Sequence, residues 1–175
     1  MLLAVLFLPL LLRPPAIPPQ PDWRLYMPDD SSFVVSVPSE PEVSIQLTPT
    51  AKGLVPTATM SATDTDRQSF LVSWTSYPTL TDPGKASHAS LEAARDALLR
   101  SDGGTILAET DDPVSSLPGR TTVYRTGSGR LIQVRFAWTR DRFYQIMAQT
   151  PDTPSARAAG ARFLRSFKVE PRIRV

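Results

Sequence analysis

Apolar residues in the first half of the chain recur at every second position, in short runs separated by turn-forming residues, which is the spacing of half-buried strands. Residues 23–27 (WRLYM) and 33–37 (FVVSV) flank Pro28-Asp29-Asp30-Ser31-Ser32 and predict a hairpin. Residues 42–48 (EVSIQLT) and 54–62 alternate again. In the second run Val55, Thr57, Thr59 and Ser61 share one parity, expected to face solvent or a wet groove. A polar loop, 64–68, leads to 69–77, where Phe70, Val72 and Trp74 share a face, so these runs form a second hairpin. The pattern breaks over 78–87, rich in Pro, Gly, Asp and Thr. Ser90 is placed to cap a helix over 91–100, with Leu91, Ala94 and Leu98 at helical spacing and Gly103 positioned to stop it.

Beyond Gly103 the period returns to two. A strand over 105–109 and a loop ending near Pro118-Gly119 precede a meander of 120–126, 130–138 and 143–149, turned by Gly127-Ser128-Gly129 and by residues 139–142. Pairing Arg125 with Arg130 and Trp138 with Phe143 places Val123, Ile132, Val134, Phe136 and Met147 on one face. The other, mixed face then carries Arg120, Tyr124, Gln133, Arg135, Tyr144 and Ile146. A last helix starts at Thr153-Pro154 and aligns Ala156, Ala159, Gly160, Phe163, Leu164 and Phe167 against Arg157, Arg162 and Arg165. It is expected to cover the Val123 face. Tight hairpins need no parallel crossovers, so the fold class is α+β: a mainly antiparallel sheet of about 6–9 strands with two helices packed on its faces.

Residues 1–12 (MLLAVLFLPLLL) form an unbroken apolar run ending at Arg13. As a helix it spans about 18 Å, short of a bilayer core of about 30 Å. Residues 1–13 therefore read as an export signal or short membrane anchor, either cleaved near Ala16 or kept as a tether. Residues 14–22, with the sequence PPAIPPQP at their start, form a proline-rich linker of extended backbone. Residues 23–175 are expected to be one α+β domain. The localisation that follows is outside the cytoplasm: periplasm, cell envelope or extracellular, with membrane contact only through 1–13 if uncleaved.

The chain has no cysteine, which removes disulfides, thiol nucleophiles, zinc-thiolate sites and iron-sulfur clusters. Its 19 basic and 17 acidic residues leave a net charge of +2, too little to attract nucleic acid or an anionic bilayer over distance. No cofactor or metal is expected. His88, the only histidine, lies in the approach to the first helix, away from any Gly-x-Ser-x-Gly elbow. Asp64 with Asp66, and Glu109 with Asp111 and Asp112, lack the spacing of a calcium loop. The candidate anion or partner contact is Arg120 with Arg135, opposite one another on the mixed face, beside Tyr124 and Tyr144. Paired like charges need compensation, from Glu109, from solvent or from a bound carboxylate held by the guanidinium groups.

Four segments carry a family likeness: FVVSVP at 33–38, DALLRSDGG at 96–104, the run from Leu117 to Pro151, and FLRSFKV at 163–169. In them the chain resembles the small secreted bacterial domains of the PsbP-like superfamily, which also holds the extrinsic photosystem II subunit and a yeast factor acting on the Ran GTPase. The resemblance implies an antiparallel sheet with helices on its faces. It implies no catalytic or metal residue, and members bind quite different partners. The functional expectation is an exported, non-catalytic binding or interaction module for an unidentified protein or small ligand of the envelope. The alternatives are an envelope hydrolase using carboxylates and arginines, which requires a concave pocket with a buried acid, and a docking subunit of a membrane complex, which requires an exposed apolar patch.

Overall fold

The computed structural model describes residues 22–50, 53–77, 83–139 and 141–169, without the side chains of residue 50 and residues 83–88. The apolar leader, nearly all of the proline-rich linker, and the last six residues lie outside the described residues. The elements, in chain order, are β1 (Arg24–Tyr26), β2 (Phe33–Val37), β3 (Glu42–Thr50), β4 (Gly53–Thr63), β5 (Ser69–Ser76), α1 (Pro83–Asp102), β6 (Thr105–Asp111), β7 (Gly119–Arg125), β8 (Leu131–Trp138), β9 (Arg142–Thr150), α2 (Pro154–Ser166) and β10 (Lys168–Val169).

Seven strands form one antiparallel sheet in the order β3-β4-β5-β9-β8-β7-β6, and a smaller sheet has the order β1-β2-β10. The α+β class with two helices stands. The β1–β2 hairpin leaves the main sheet, because Phe33, Val35 and Val37 alternate with half-exposed residues and turn their side chains down onto it. Phe33 sits edge-on to Trp74 and Tyr144, with ring centroids 5.1 and 5.9 Å away, and 5.3 Å from Phe167 of the closing segment. The small sheet and α2 together cover one face of the main sheet. Leu91 of α1 packs on the other face, against Tyr124, Ile132, Val134 and Phe136.

Helix α1 begins well before the expected cap at Ser90. Proline is tolerated in a first helical turn, where its missing N–H has no partner to lose, so Pro83 opens the helix and Ser90 falls inside it, as does His88. At the other end Gly103, at φ +60, allows the Gly104 N–H to reach the Leu99 carbonyl at 2.9 Å, the closure of a Schellman motif. Helix α2 begins as expected: the Thr153 hydroxyl accepts from the Ala156 N–H at 3.3 Å, and Ala156, Gly160, Phe163 and Leu164 are buried.

The β8–β9 register is the expected one, with Trp138 opposite Phe143. That of β7–β8 is not: Arg125 faces Leu131, one residue further on. The turn holds only Gly127, Ser128 and Gly129. The Gly129 N–H bonds the Thr126 carbonyl at 2.9 Å, Gly129 takes φ +84, and the Thr126 N–H bonds the Arg130 carbonyl at 2.9 Å, the geometry of a three-residue loop with a glycine bulge. The shift moves every residue of β7 to the opposite face from that expected. Tyr124 and Arg120 join Ile132, Val134 and Phe136 beneath α1, while Val123 moves to the face of Gln133 and Arg135. Helix α2 accordingly covers the face of Gln133 and Arg135 rather than that of Ile132 and Val134; the Gln133 amide donates to the Arg157 carbonyl at 3.0 Å.

Gly119 opens β7 at a point of close approach, where a Cβ would overlap the Asp112 backbone carbonyl and crowd that of Phe136. Gly119→Ala is therefore expected to destabilise the protein by about 2–3 kcal/mol, since backbone on both sides must shift. Urea unfolding of the two proteins checks this.

Candidate functional site

The four residues of the expected contact do not converge. Arg120 and Tyr124 lie on the α1 face; Arg135 and Tyr144 lie on the face beneath the small sheet and α2. Arg120 faces Phe136, and Arg135 faces Thr121, so no like charges meet across the strands.

On the α1 face Arg120 donates to Asp111 at 3.0 and 3.1 Å and reaches Glu92 of α1 at 3.5 Å. Arg95 of α1 grips both oxygens of Glu109 at 3.0 and 3.1 Å. These pairs fasten the edge strand β6 to the helix. The Tyr124 hydroxyl donates to the Asp102 carboxylate at 2.6 Å, while its ring lies against Gly104. Burial, and then the bond to Asp102 and its charge, raise the Tyr124 pKa.

Beneath the second layer Arg135 is only 8% exposed. Its Nη2 donates to Asp112 at 2.7 Å and to the Pro113 carbonyl at 2.8 Å, and its Nη1 donates to the Leu164 carbonyl in the last turn of α2 at 3.2 Å. The other Asp112 oxygen accepts from Thr121 at 2.8 Å. Sequence reasoning missed a second buried arginine: Arg142 bonds Asp30 of the β1–β2 turn at 2.6 Å and neighbours Tyr144, while its Nε and Nη1 meet no protein acceptor. No local signal joins the turn to that hairpin; only the folded layers bring them together. Both guanidinium groups are sealed from solvent and tie the second layer to the sheet.

All four tyrosines have pKa values raised first by burial, so none offers a phenolate near neutrality. No carboxylate among the described residues is buried. Asp64 closes its own turn, accepting the N–H groups of Asp66 at 3.0 Å and Gln68 at 2.8 Å. Among the described residues no group of three His, Asp or Glu gathers as a metal site, and no described helix is long and apolar enough to cross a membrane.

The remaining surface feature is apolar. On the second-layer face, β3 and β4 project past the cover of β1, leaving Val43, Ile45, Leu47 and Leu54 exposed by 51, 72, 65 and 63%. The alternation of 42–48 signalled these residues, but as buried partners of a layer that does not reach them.

No protein-family model matches the chain, and no curated protein matches it by sequence. Its fold is PsbP-like. The solution structure of cyanobacterial PsbP (CyanoP) from Synechocystis sp. PCC 6803 superposes with a TM-score of 0.54 at 16% identity, over 85% of this chain and 92% of that one. A crystal structure of a Pseudomonas aeruginosa protein of unknown function aligns more loosely, with a TM-score of 0.44 at 17% identity, over 86% and 97% of the two chains.

Two outcomes are expected from the buried arginines. Arg135→Ala removes three hydrogen bonds and loosens α2, lowering stability by about 2–3 kcal/mol in urea unfolding. For Asp30, burial acts to raise the carboxyl pKa, but hydrogen bonds from Ser32 and Arg142 and the Arg142 charge outweigh it and hold the carboxyl below its ordinary value. A lowered carboxyl stabilises the fold above the ordinary value of about 3.9 and loses that contribution as pH falls through the folded value. Thermal melts from about pH 7 to about pH 2 should therefore show the wild type losing more on acidification than Asp30→Asn, which starts lower at neutral pH.

Proposed function

We propose that the chain is an exported, non-catalytic binding module of the cell envelope that docks a protein partner through the outer face of β3 and β4. The observation that carries this reading is the strip of Val43, Ile45, Leu47 and Leu54, four large aliphatic side chains exposed together on a projecting sheet face. Export is supported by the apolar leader at 1–12 and the proline-rich spacer behind it. A binding role draws support from the carboxylates as well. Among the described residues the two carboxylates whose pKa values shift are both held down by hydrogen bonds, Asp30 by those of Ser32 and Arg142 against the effect of burial and Asp152 by those of Arg125 and Arg157, the reverse of what a general acid needs. The same apolar face favours a second reading, a docking subunit of a membrane complex, if the leader stays attached.

The test is made in cells producing the chain with a C-terminal tag, by fractionation, mass spectrometry of the mature N-terminus and surface crosslinking. Export with cleavage near Ala16 gives a chain in a soluble envelope or external fraction; a retained leader gives a membrane-held one. In either place a crosslinked adduct is expected that disappears in the Leu47→Ser/Leu54→Ser double variant. A full-length chain free in the cytoplasm, or adducts indifferent to the double variant, overturns the reading.

A further inference from the structure

The main sheet has two edges, and they are built differently. Edge strand β6 is interrupted by a bulge at Leu107 and carries Glu109 and Asp111, both ion-paired. Bulges and charges are the usual guards against strand addition. Edge strand β3 pairs with β4 without a register shift from Glu42 to Thr50, and Glu42 is its only charged residue.

Prolines reveal which backbone groups of β3 are free. Leu47 lies opposite Pro56, and Pro49 opposite Leu54. Proline has no N–H, so these are the non-hydrogen-bonded pairs of the ladder, and the bonds to β4 fall on the alternate residues Gln46 and Thr48. Val43, Ile45 and Leu47 therefore direct N–H and C=O groups outward, away from β4. Pro41 and Pro49 share that parity and bracket the three residues symmetrically, each four positions from Ile45.

We propose that β3 pairs with β3 of a second copy of this chain, antiparallel, with Ile45 on the two-fold axis. In this register Ile45 faces its own counterpart and Val43 faces Leu47 of the other copy, so every outward N–H and C=O of the window is bonded. Glu42 falls opposite Thr48, and no like charges meet. Pro41 meets Pro49 just outside the window and ends the ladder. A shift by one residue sets outward groups against inward ones; a shift by two brings a proline opposite one of the three donors. The window is thus complementary to itself in one register, and pairing is isologous and closed. The two apolar strips, on the same face of the joined sheet, become one. This inference rests on the backbone edge of β3 and the proposed function on its apolar face; Ile45 belongs to both, so the mass of the purified chain reads the first and the crosslinked adducts in cells read the second, and each can fail alone.

The test uses the full chain as purified. Its mass, by light scattering over a concentration series, should rise to twice the monomer value. Ile45→Lys sets two ammonium groups on the axis and should hold the mass at the monomer value, with the melting temperature that the wild type shows when diluted to the monomer. Because the chain has no cysteine, Ile45→Cys should give a disulfide-linked dimer on mild oxidation, several-fold more abundant than with Thr48→Cys, whose two copies lie about 20 Å apart along the strands. Ile45→Cys reads the pairing even if Ile45→Lys fails to fold. A wild type monomeric throughout the series, a dimer that survives Ile45→Lys, equal crosslinking at Thr48→Cys, or crosslinking of Ile45→Cys in cells to a different protein overturns the proposal.

Discussion

All eight residues of β8 are buried, on both faces of the sheet at once. Most of the remaining structure follows from covering the two faces of this one strand. Ile132, Val134 and Phe136 point toward α1, while Leu131, Gln133, Arg135 and Ala137 point toward α2 and the small sheet. A strand with one solvated face tolerates some error in register. A strand covered twice does not, because a slip of one residue exchanges the two sets completely. The three-residue turn at Gly127–Gly129 and the short turn after Trp138 hold β7 and β9 in the registers that keep both sets in place.

The two covers differ chemically. Beneath α1 the contact is largely hydrophobic, closed at the helix end by Tyr124 and Asp102 and at its rim by the Arg95 and Arg120 ion pairs. Beneath α2 the sheet presents polar groups, and these serve the ends of elements. Arg135 adds a second donor to the Leu164 carbonyl, which the Phe167 N–H reaches only at 3.4 Å as the helix ends, and Gln133 donates to that of Arg157. A buried guanidinium is costly to desolvate, and its worth lies in holding α2 and the β6–β7 loop in one position. Arg142 does the same for the β1–β2 turn through Asp30.

The coverage stops before β3. The small sheet has only three strands, and its edge strand β1 has only three residues, so the outer part of the β3–β4 hairpin projects without a second layer. Fold likeness to cyanobacterial PsbP says nothing of what meets this surface, since function is set by sites placed on a fold. The apolar side chains of that hairpin and the free backbone edge beside them are separate features, one facing outward from the sheet and the other lying in its plane.

Strand and helix identities were legible from local pattern. The alternation of residues 42–48 and 69–77, the capping Thr153 with Pro154, and the stop at Gly103 all act within a few residues, and each appears where the pattern places it. The likeness in segments such as FVVSVP and FLRSFKV reached the fold for the same reason, because these segments build β2 and the end of α2. The candidate contact was not legible: placing Arg120 beside Arg135 and Tyr124 beside Tyr144 depended on one hairpin loop, and a single residue in its length moved Arg120 and Tyr124 through the sheet. Nor was the pairing of Arg142 with Asp30, which lie far apart in the chain. Sequence by itself determined which residues alternate, where chain direction reverses, where α2 begins and where α1 stops, because backbone sterics and period are local. Tertiary structure decided which face each alternating set meets, which arginines are buried and which strand is left uncovered, because those depend on how far one layer extends over another.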